Sequence, residues 1–268
     1  MHQRRALLAA PLLIAAAPAA EGGELALDNT PALASHKMGV PADNPDLLLR
    51  WNAPREGPLD RVLHFHGFSN EDPRQLDLRA AMPGSGLDLV PVPEARSRLP
   101  GRPSATLALL PRGRPRPRDR LPGPFDWPAI SAPGALAAIL DAGMRAMAAH
   151  VGRPLSPPGQ LILTAHSGGG GGLLAALDQA AREVLRVDQV FCYDALYRDP
   201  APVIRWAKAT PGSVLVVIHT PGGRNTENAR RVKAEVPQAR IYASEADHAD
   251  IPRANGWRLL IDPMAALI

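Results

Sequence analysis

The sequence predicts an α/β protein, with a mostly parallel central sheet and helices on both of its faces. Short apolar runs alternate along the chain with stretches of helical periodicity, and glycine or proline lies between them. The length of 268 residues suits one large α/β unit. Hydrophobic residues make up 46% of the chain and charged residues 21%, which excludes a disordered or fibrous protein.

The predicted strands are short apolar runs, each closed by glycine, proline or a polar residue. They lie at 61–66, 105–110, 160–165, 189–193, 213–219 and 239–243. The predicted helices carry apolar residues at three- and four-residue spacing, or are rich in alanine and leucine. They lie at 134–151, 173–184, 202–209 and 226–236. Repeated strand–helix units of this kind pair their strands in parallel.

Two stretches give weaker or different signals. Residues 46–51 predict an edge strand, but the apolar pattern there is short. Residues 111–128 are rich in proline and arginine. Because proline fixes φ and removes a backbone donor, we expect this stretch to be an irregular surface loop.

The first 19 residues are expected to be a signal peptide. Arg4 and Arg5 precede an apolar run over 6–17, and Ala17-Pro18-Ala19 forms a small-x-small cleavage site. The run is shorter than the roughly 20 residues that span a bilayer, so no membrane span is expected after the signal is removed. The sequence therefore predicts export to the periplasm or the medium, by the general secretory or the twin-arginine route. A buried first helix is the alternative.

Composition excludes several classes of site and partner. A single cysteine, Cys192, excludes an intrachain disulfide and a multi-cysteine metal site, and we expect it to be a buried small side chain. The net charge of +4 comes from 30 basic and 26 acidic residues, which is close to balance. The arginines of 111–128 come without interleaved aromatic residues, so no nucleic-acid partner is expected. No cofactor is expected, and the oligomeric state is not predicted.

A serine lies between a predicted strand and a glycine-rich turn, in Thr164-Ala-His-Ser-Gly-Gly169. A sharp strand-to-helix turn strains the serine backbone, crowds its flanks and leaves its hydroxyl exposed at the edge of the sheet. Ala165 and Gly169, two residues before and after Ser167, are small enough for such a turn. The pattern resembles the nucleophile elbow Gly-x-Ser-x-Gly of the α/β-hydrolase superfamily, with alanine in the first glycine position. The alternative is a glycine-rich connection with an incidental serine.

The resemblance implies a catalytic triad whose members follow in the order serine, acid, histidine. Ser167 would be the nucleophile. Asp194, directly after the predicted strand 189–193, would be the acid, and His248, after the last predicted strand, would be the base. A helix N-cap is the alternative for the aspartate, and an exposed loop position is the alternative for the histidine.

The resemblance also implies two backbone donors for a tetrahedral oxyanion. One is the N–H of Gly168, directly after the nucleophile. The other follows His66, with the N–H of Phe68 as the first candidate and that of Gly67 as the second. We expect glycine at this turn because it lets the amide point inward. The residues expected near the substrate are His66, His166 and Tyr197; His166 has the alternative of packing under the elbow.

A zinc site is the alternative interpretation of His64 and His66. Alternate strand residues face the same side, so the two imidazoles could bind one ion. A catalytic zinc needs a third protein ligand, and no His-Glu-x-x-His motif or cysteine pair accompanies them. We therefore expect no metal, and we expect His64 to be a core histidine with a backbone partner.

The resemblance extends from about residue 60 to the C-terminus and implies that residues 20–268 form a single α/β-hydrolase domain. It implies a secreted serine hydrolase that cleaves a carboxylic ester, in a small or polymeric acyl substrate, through an acyl-enzyme. Residues 194–212 leave no room for a helical lid. A peptidase or amidase, an acyltransferase, and a non-catalytic binding protein on the same scaffold are the alternatives.

Overall fold

The computed structural model describes residues 22–37, 40–41, 44–52, 57–67, 76–78, 102–115 and 125–267. The strands there are β1 (Gly23–Leu27), β2 (Leu47–Trp51), β3 (Leu59–Phe65), β4 (Thr106–Pro111), β5 (Arg114–Pro115), β6 (Phe125–Asp126), β7 (Pro158–His166), β8 (Gln189–Tyr193), β9 (Val214–His219) and β10 (Arg240–Ala243). The α-helices are α1 (Ala135–Val151), α2 (Gly170–Arg182), α3 (Ala201–Ala209), α4 (Gly223–Glu235) and α5 (Ile251–Ile261). Short 3-10 helices cover Pro31–His36, Pro128–Ser131 and Ser167–Gly169.

Within these residues, eight strands form one sheet in the order β1-β2-β4-β3-β7-β8-β9-β10. The six strands from β4 to β10 in this order pair in parallel. The first two strands pair antiparallel, β1 with β2 and β2 with β4. The predicted α/β class and the mostly parallel sheet are confirmed.

The register brings the carboxyl ends of the central strands to one level. Phe65 of β3 pairs with Ala165 of β7, and His166 at the end of β7 pairs with Tyr193 at the end of β8. Tyr193 in turn pairs with Ile218 of β9. The segments that follow these four strands therefore emerge side by side along one edge of the sheet.

Buried hydrophobic side chains cover both faces of the sheet. On one face the cluster includes residues of four helices: Leu136 of α1, Leu177 of α2, Val203 of α3 and Val232 of α4. On the other face α5 contributes Ile251, Leu259 and Leu260. The strands are buried between these two layers, which explains why their sequences are nearly continuous apolar runs.

The structure differs from the prediction in three places. Residues 46–51 were expected to form an edge strand, but β2 lies inside the sheet between β1 and β4. Strand β1 was not predicted, because an edge strand with one covered face gives little apolar signal. The prediction that 111–128 has no regular structure is wrong at β5 and β6, which pair antiparallel. Arg114 binds Asp126 there with two hydrogen bonds of 2.7 and 2.6 Å, which hold this two-residue ladder together.

The predicted signal peptide lies outside the described residues. No helix in the part of the chain that the structure describes is long and apolar enough to cross a membrane.

Candidate active site

The chain makes a sharp strand-to-helix turn at Ser167. Strand β7 ends at His166, a 3-10 turn covers Ser167–Gly169, and α2 begins at Gly170. Ser167 has a φ of +52°, in the left-handed region that residues other than glycine rarely adopt. The predicted backbone strain is therefore present. The prediction of an exposed hydroxyl is wrong in degree, because Ser167 is only 8% exposed.

The glycines of the turn are required by close packing. A Cβ atom at Gly169 would collide with the backbone carbonyl of Phe65 at the end of β3. A Cβ atom at Gly170 would collide with the carbonyl of Ala195, in the loop after β8. The turn thus rests directly on the backbone of two neighbouring segments, and this contact fixes the place of Ser167.

The turn lies where the strand order of the sheet reverses. After β3 the chain adds β4 on one side, and then crosses to add β7 on the other side. Such a switch point leaves a crevice at the carboxyl ends of the two strands, which is where open α/β sheets bind ligands. Gly67 follows β3 and lies against Ser167, since a Cβ atom at Gly67 would be 3.1 Å from the serine Cβ. Space explains this glycine, because its φ does not lie in the left-handed region.

Asp194 and His248, 54 positions apart, form a direct hydrogen bond. The Nδ1 atom of His248 lies 2.6 Å from Oδ2 of Asp194. The aspartate side chain is 1% exposed and the histidine side chain 40% exposed. Because a carboxylate can only accept, Nδ1 carries the proton and Nε2 of the neutral ring keeps its lone pair. Asp194 caps no helix, since α3 begins at Ala201.

Several donors hold the Asp194 carboxylate in its ionised form. The backbone N–H of Thr220 and the side-chain amide of Asn225 donate to Oδ1, at 3.2 and 2.6 Å. The hydroxyls of Thr220 and Tyr197 donate to Oδ2, at 2.9 and 3.4 Å. Burial alone raises the pKa of Asp194, but the hydrogen bonds from His248 and Thr220 outweigh it, so the pKa lies below the usual value.

Thr220 and Asn225 were not predicted from the sequence as site residues. Thr220 directly follows β9, which pairs in parallel with β8, and Asp194 directly follows β8. That register was a usable signal, because residues one step beyond neighbouring parallel strands meet at the same edge. Asn225 lies in the first turn of α4, and no local pattern marks it.

His166 contacts the loop of the candidate base. Its Nε2 atom lies 2.9 Å from the backbone oxygen of His248. The two rings also face each other, with centroids 4.7 Å apart and planes inclined by 36°. Burial lowers the pKa of His166 to about 4, so this ring is neutral at pH 7.

The structure gives His66 a different place from the one expected. The residue is 3% exposed. Its Nδ1–H donates to the carbonyl of Gly67 at 2.8 Å, and its Nε2 accepts from the N–H of Gly113 at 2.9 Å. Both ring nitrogens are thus engaged with the backbone, and neither is available to a substrate or an ion. Burial lowers the pKa of His66 to about 3.

Three other residues were predicted near the reaction: Gly168 and Phe68 as oxyanion donors and Tyr197 as a substrate contact. Gly168 lies in the first turn after the serine, where helical N–H groups have no partner within the helix. Phe68 lies outside the described residues. Tyr197 is 45% exposed, and its ring meets the His248 ring edge-on at 6.4 Å.

His64 has a side-chain partner and not the backbone partner that was expected, since its Nδ1 lies 2.7 Å from Oγ1 of Thr164. Cys192 is fully buried, as predicted. Burial raises the pKa of its thiol to about 12. No group of three or more potential metal ligands occurs among the residues that the structure describes.

The segments after β7, β8 and β10 thus carry a serine in a strained turn, an aspartate and a histidine, on a sheet whose order reverses at that turn. The chain has the α/β-hydrolase fold. No protein-family model matches the sequence, and no curated protein matches it.

Solved structures of low sequence identity resemble the chain. The enterobactin esterase of Shigella flexneri is 15% identical, with 92% of this chain and 60% of the other covered and a TM-score of 0.47. A ferulic acid esterase from Anaeromyces mucronatus is 12% identical, with 90% and 89% covered and a TM-score of 0.44. An arylesterase is 10% identical, with 93% and 85% covered and a TM-score of 0.46. The chain thus spans 60% of the length of the enterobactin esterase.

Proposed function

We propose that the protein is a serine hydrolase that cleaves a carboxylic ester through Ser167, His248 and Asp194. The observation that carries the proposal is the 2.6 Å hydrogen bond between His248 Nδ1 and Asp194 Oδ2, at the edge of the sheet where Ser167 turns. A serine hydroxyl is a weak nucleophile, and a histidine oriented by a buried carboxylate is the base that activates it.

In the proposed reaction Ser167 Oγ attacks the acyl carbon while its proton passes to His248 Nε2. The carbonyl oxygen becomes an oxyanion, and the tetrahedral intermediate collapses when the C–O bond to the alcohol breaks. The imidazolium gives its proton to the departing alkoxide, which leaves as the alcohol. Water then attacks the acyl-enzyme by the same steps, and releases the carboxylic acid and free Ser167.

The environment of Asp194 supports this division of roles. Its carboxylate receives donors on both oxygens before any substrate binds, so it needs no rearrangement when His248 becomes charged. His248 is 40% exposed, which suits a base that must reach both a substrate and water.

The proposed oxyanion donors are backbone amides at the switch point. The N–H of Gly168 follows the nucleophile in the 3-10 turn. The backbone of Gly67 packs against Ser167, so an amide at or after this residue supplies the second donor. One such donor is worth on the order of 3 kcal/mol of transition-state stabilisation.

An ester is the proposed substrate because its alkoxide leaves with less assistance than the amine of a peptide or an amide. Helix α3 occupies the connection between β8 and β9 and packs onto the core, so this connection supplies no helical lid. A small or polymeric acyl compound that approaches from solvent is consistent with this. Export to the periplasm or the medium remains part of the proposal, on the strength of the first 19 residues alone.

The test is covalent labelling with a fluorophosphonate probe, together with hydrolysis of p-nitrophenyl acetate and butyrate. We expect one label per chain, on Ser167, and none on a Ser167→Ala variant. Ser156→Ala is the matched control, because Ser156 precedes β7 at the opposite end of the same strand. An unlabelled wild type, or equal labelling of Ser167→Ala, would overturn the proposal.

Parallel assays with p-nitroanilides distinguish an esterase from a peptidase or amidase. Turnover of anilides at the rate of the esters would favour the peptidase or amidase alternative. Transfer of the acyl group to an added alcohol in preference to water would favour an acyltransferase.

A further inference from the structure

Two side-chain hydrogen bonds tie the loop that carries His248 to distant segments of the chain. This loop, residues 245–250, lies between β10 and α5. Among the described residues, backbone hydrogen bonds from Ile251 and Ala254 join it to α5, which follows directly, and two hydrogen bonds join it to segments distant in sequence. One fixes the His248 side chain to Asp194, and the other runs from the His166 ring to the His248 carbonyl.

The second hydrogen bond defines the state of the His166 ring. A carbonyl oxygen only accepts, so the proton is on Nε2 of His166 and Nδ1 is bare. On its other side the ring borders Gly67, where a Cβ atom would lie 2.8 Å from Nδ1. The partly buried imidazole of His166, one residue before Ser167, therefore bridges the loop after β3 and the loop of the candidate base.

We propose that His166 is a positioning residue, which fixes the His248 loop through its Nε2–H and presents a neutral ring to the face of the His248 imidazole. This assignment rests on the proposed function. It replaces the expected substrate contact of His166 with a contact to the chain, because Nε2 is used to hold the His248 carbonyl and Nδ1 borders Gly67.

The neutral ring matters when His248 takes up the proton of Ser167. The two ring centroids are 4.7 Å apart, so a charge on both rings would be repulsive at the moment when the imidazolium forms. Burial keeps His166 uncharged, and the single charge that develops then interacts with Asp194.

The experiment compares His166→Gln with His166→Asn. Both amides have the same donor chemistry and differ by one methylene, but the glutamine nitrogen reaches the position of imidazole Nε2 and the asparagine nitrogen does not. We expect His166→Asn to lower kcat by about 10- to 100-fold with little change in KM, because a small displacement of a catalytic group costs this much. His166→Gln should recover most of the loss.

A spectroscopic readout accompanies the kinetics. A short hydrogen bond from Nδ1 to a carboxylate gives a far-downfield proton signal in one-dimensional NMR. We expect this signal of His248 to broaden or vanish in His166→Asn and to persist in His166→Gln. His150→Gln is the control, because His150 is an exposed histidine near the end of α1.

Three results would overturn the assignment. The first is equal loss of kcat in the glutamine and asparagine variants. The second is an increase in KM that depends on acyl length with kcat unchanged, which would restore the substrate contact. The third is an unaltered downfield signal in folded His166→Asn. If wild-type protein takes no fluorophosphonate label, the proposed function fails, and the NMR comparison still tests the position of the His248 loop.

Discussion

Replacing Asp194 with asparagine should place the proton of His248 on the wrong nitrogen. In the native structure every described hydrogen-bonding neighbour of the carboxylate donates to it, and an NH2 group in its place would oppose these donors. The N–H of Thr220 faces Oδ1 and is a backbone donor that cannot accept. The amide therefore turns its NH2 group toward the Oδ2 position, where His248 Nδ1 lies.

An NH2 group at this position faces His248 Nδ1, and it can donate to that atom only when the atom carries no proton. The ring proton then moves to Nε2, which is the atom that must accept the proton of Ser167. We expect kcat to fall by about 10⁴-fold, equivalent to roughly 5.4 kcal/mol in the activation free energy. KM should change little, since Asp194 is 1% exposed and touches no substrate.

The assay is steady-state hydrolysis of p-nitrophenyl butyrate, with the concentration of active sites taken from fluorophosphonate titration. A thermal melt shows whether the variant is folded. Asp178→Asn is the matched control, because Asp178 lies on α2 and pairs with Arg205 on the surface. A kcat for Asp194→Asn within about tenfold of the wild type, where a loss of about 10⁴-fold is expected, would refute the reasoning. It would transfer the role of the acid to Glu245 or Asp250.

Three further perturbations test other parts of the structure. Gly67→Ala should slow fluorophosphonate labelling by about 10²-fold, because its Cβ would lie 2.8 Å from His166 Nδ1 and 3.1 Å from Ser167 Cβ and would displace these neighbours. An unchanged labelling rate would contradict these contacts. Val184→Gly should stabilise the protein by about 0.5–1 kcal/mol in urea unfolding, because Val184 has a φ of +56° at the end of α2 and is 91% exposed; a lower midpoint would show that the valine is not strained. Lowering the pH from 7.5 to 5 should cost roughly 4 kcal/mol of unfolding free energy from His36 and His66. His166 and His64, whose pKa values burial also lowers, add to this loss. Burial lowers the pKa of His36 to about 4 and that of His66 to about 3. Below pH 6.5 the unfolded chain therefore binds protons that the folded chain does not, and the free energy of unfolding decreases as the pH decreases. Equal unfolding free energies at the two pH values would contradict buried neutral rings.

The sequence carried the information for most of the sheet because buried parallel strands are continuous apolar runs. The same runs located the candidate acid. Asp194 directly follows β8, and the carboxyl ends of neighbouring parallel strands meet at one edge, so its approach to the segment after β7 was foreseeable. The strained serine turn was also predictable from the sequence. It packs on neighbouring backbone that leaves no room for a Cβ atom at Gly169, so the turn requires a glycine there.

The partners of these residues depended on the folded chain. Asn225 and Thr220 complete the shell of Asp194, yet they lie 31 and 26 positions away from it, beyond the reach of any local period. His66 and His166 were both expected near the substrate, and the structure engages both ring nitrogens of His66 and Nε2 of His166 with backbone groups.

Apolar periodicity and steric need are properties of neighbouring positions, so the sequence by itself determined the α/β class, the strained serine turn and the strand end that carries Asp194. A hydrogen bond depends on the direction of one donor and one acceptor, and its partner can come from any segment that packs nearby. Only the tertiary structure therefore decided that His166 holds the His248 carbonyl, that His66 forms hydrogen bonds with backbone groups, and that Asp194 is surrounded by donors.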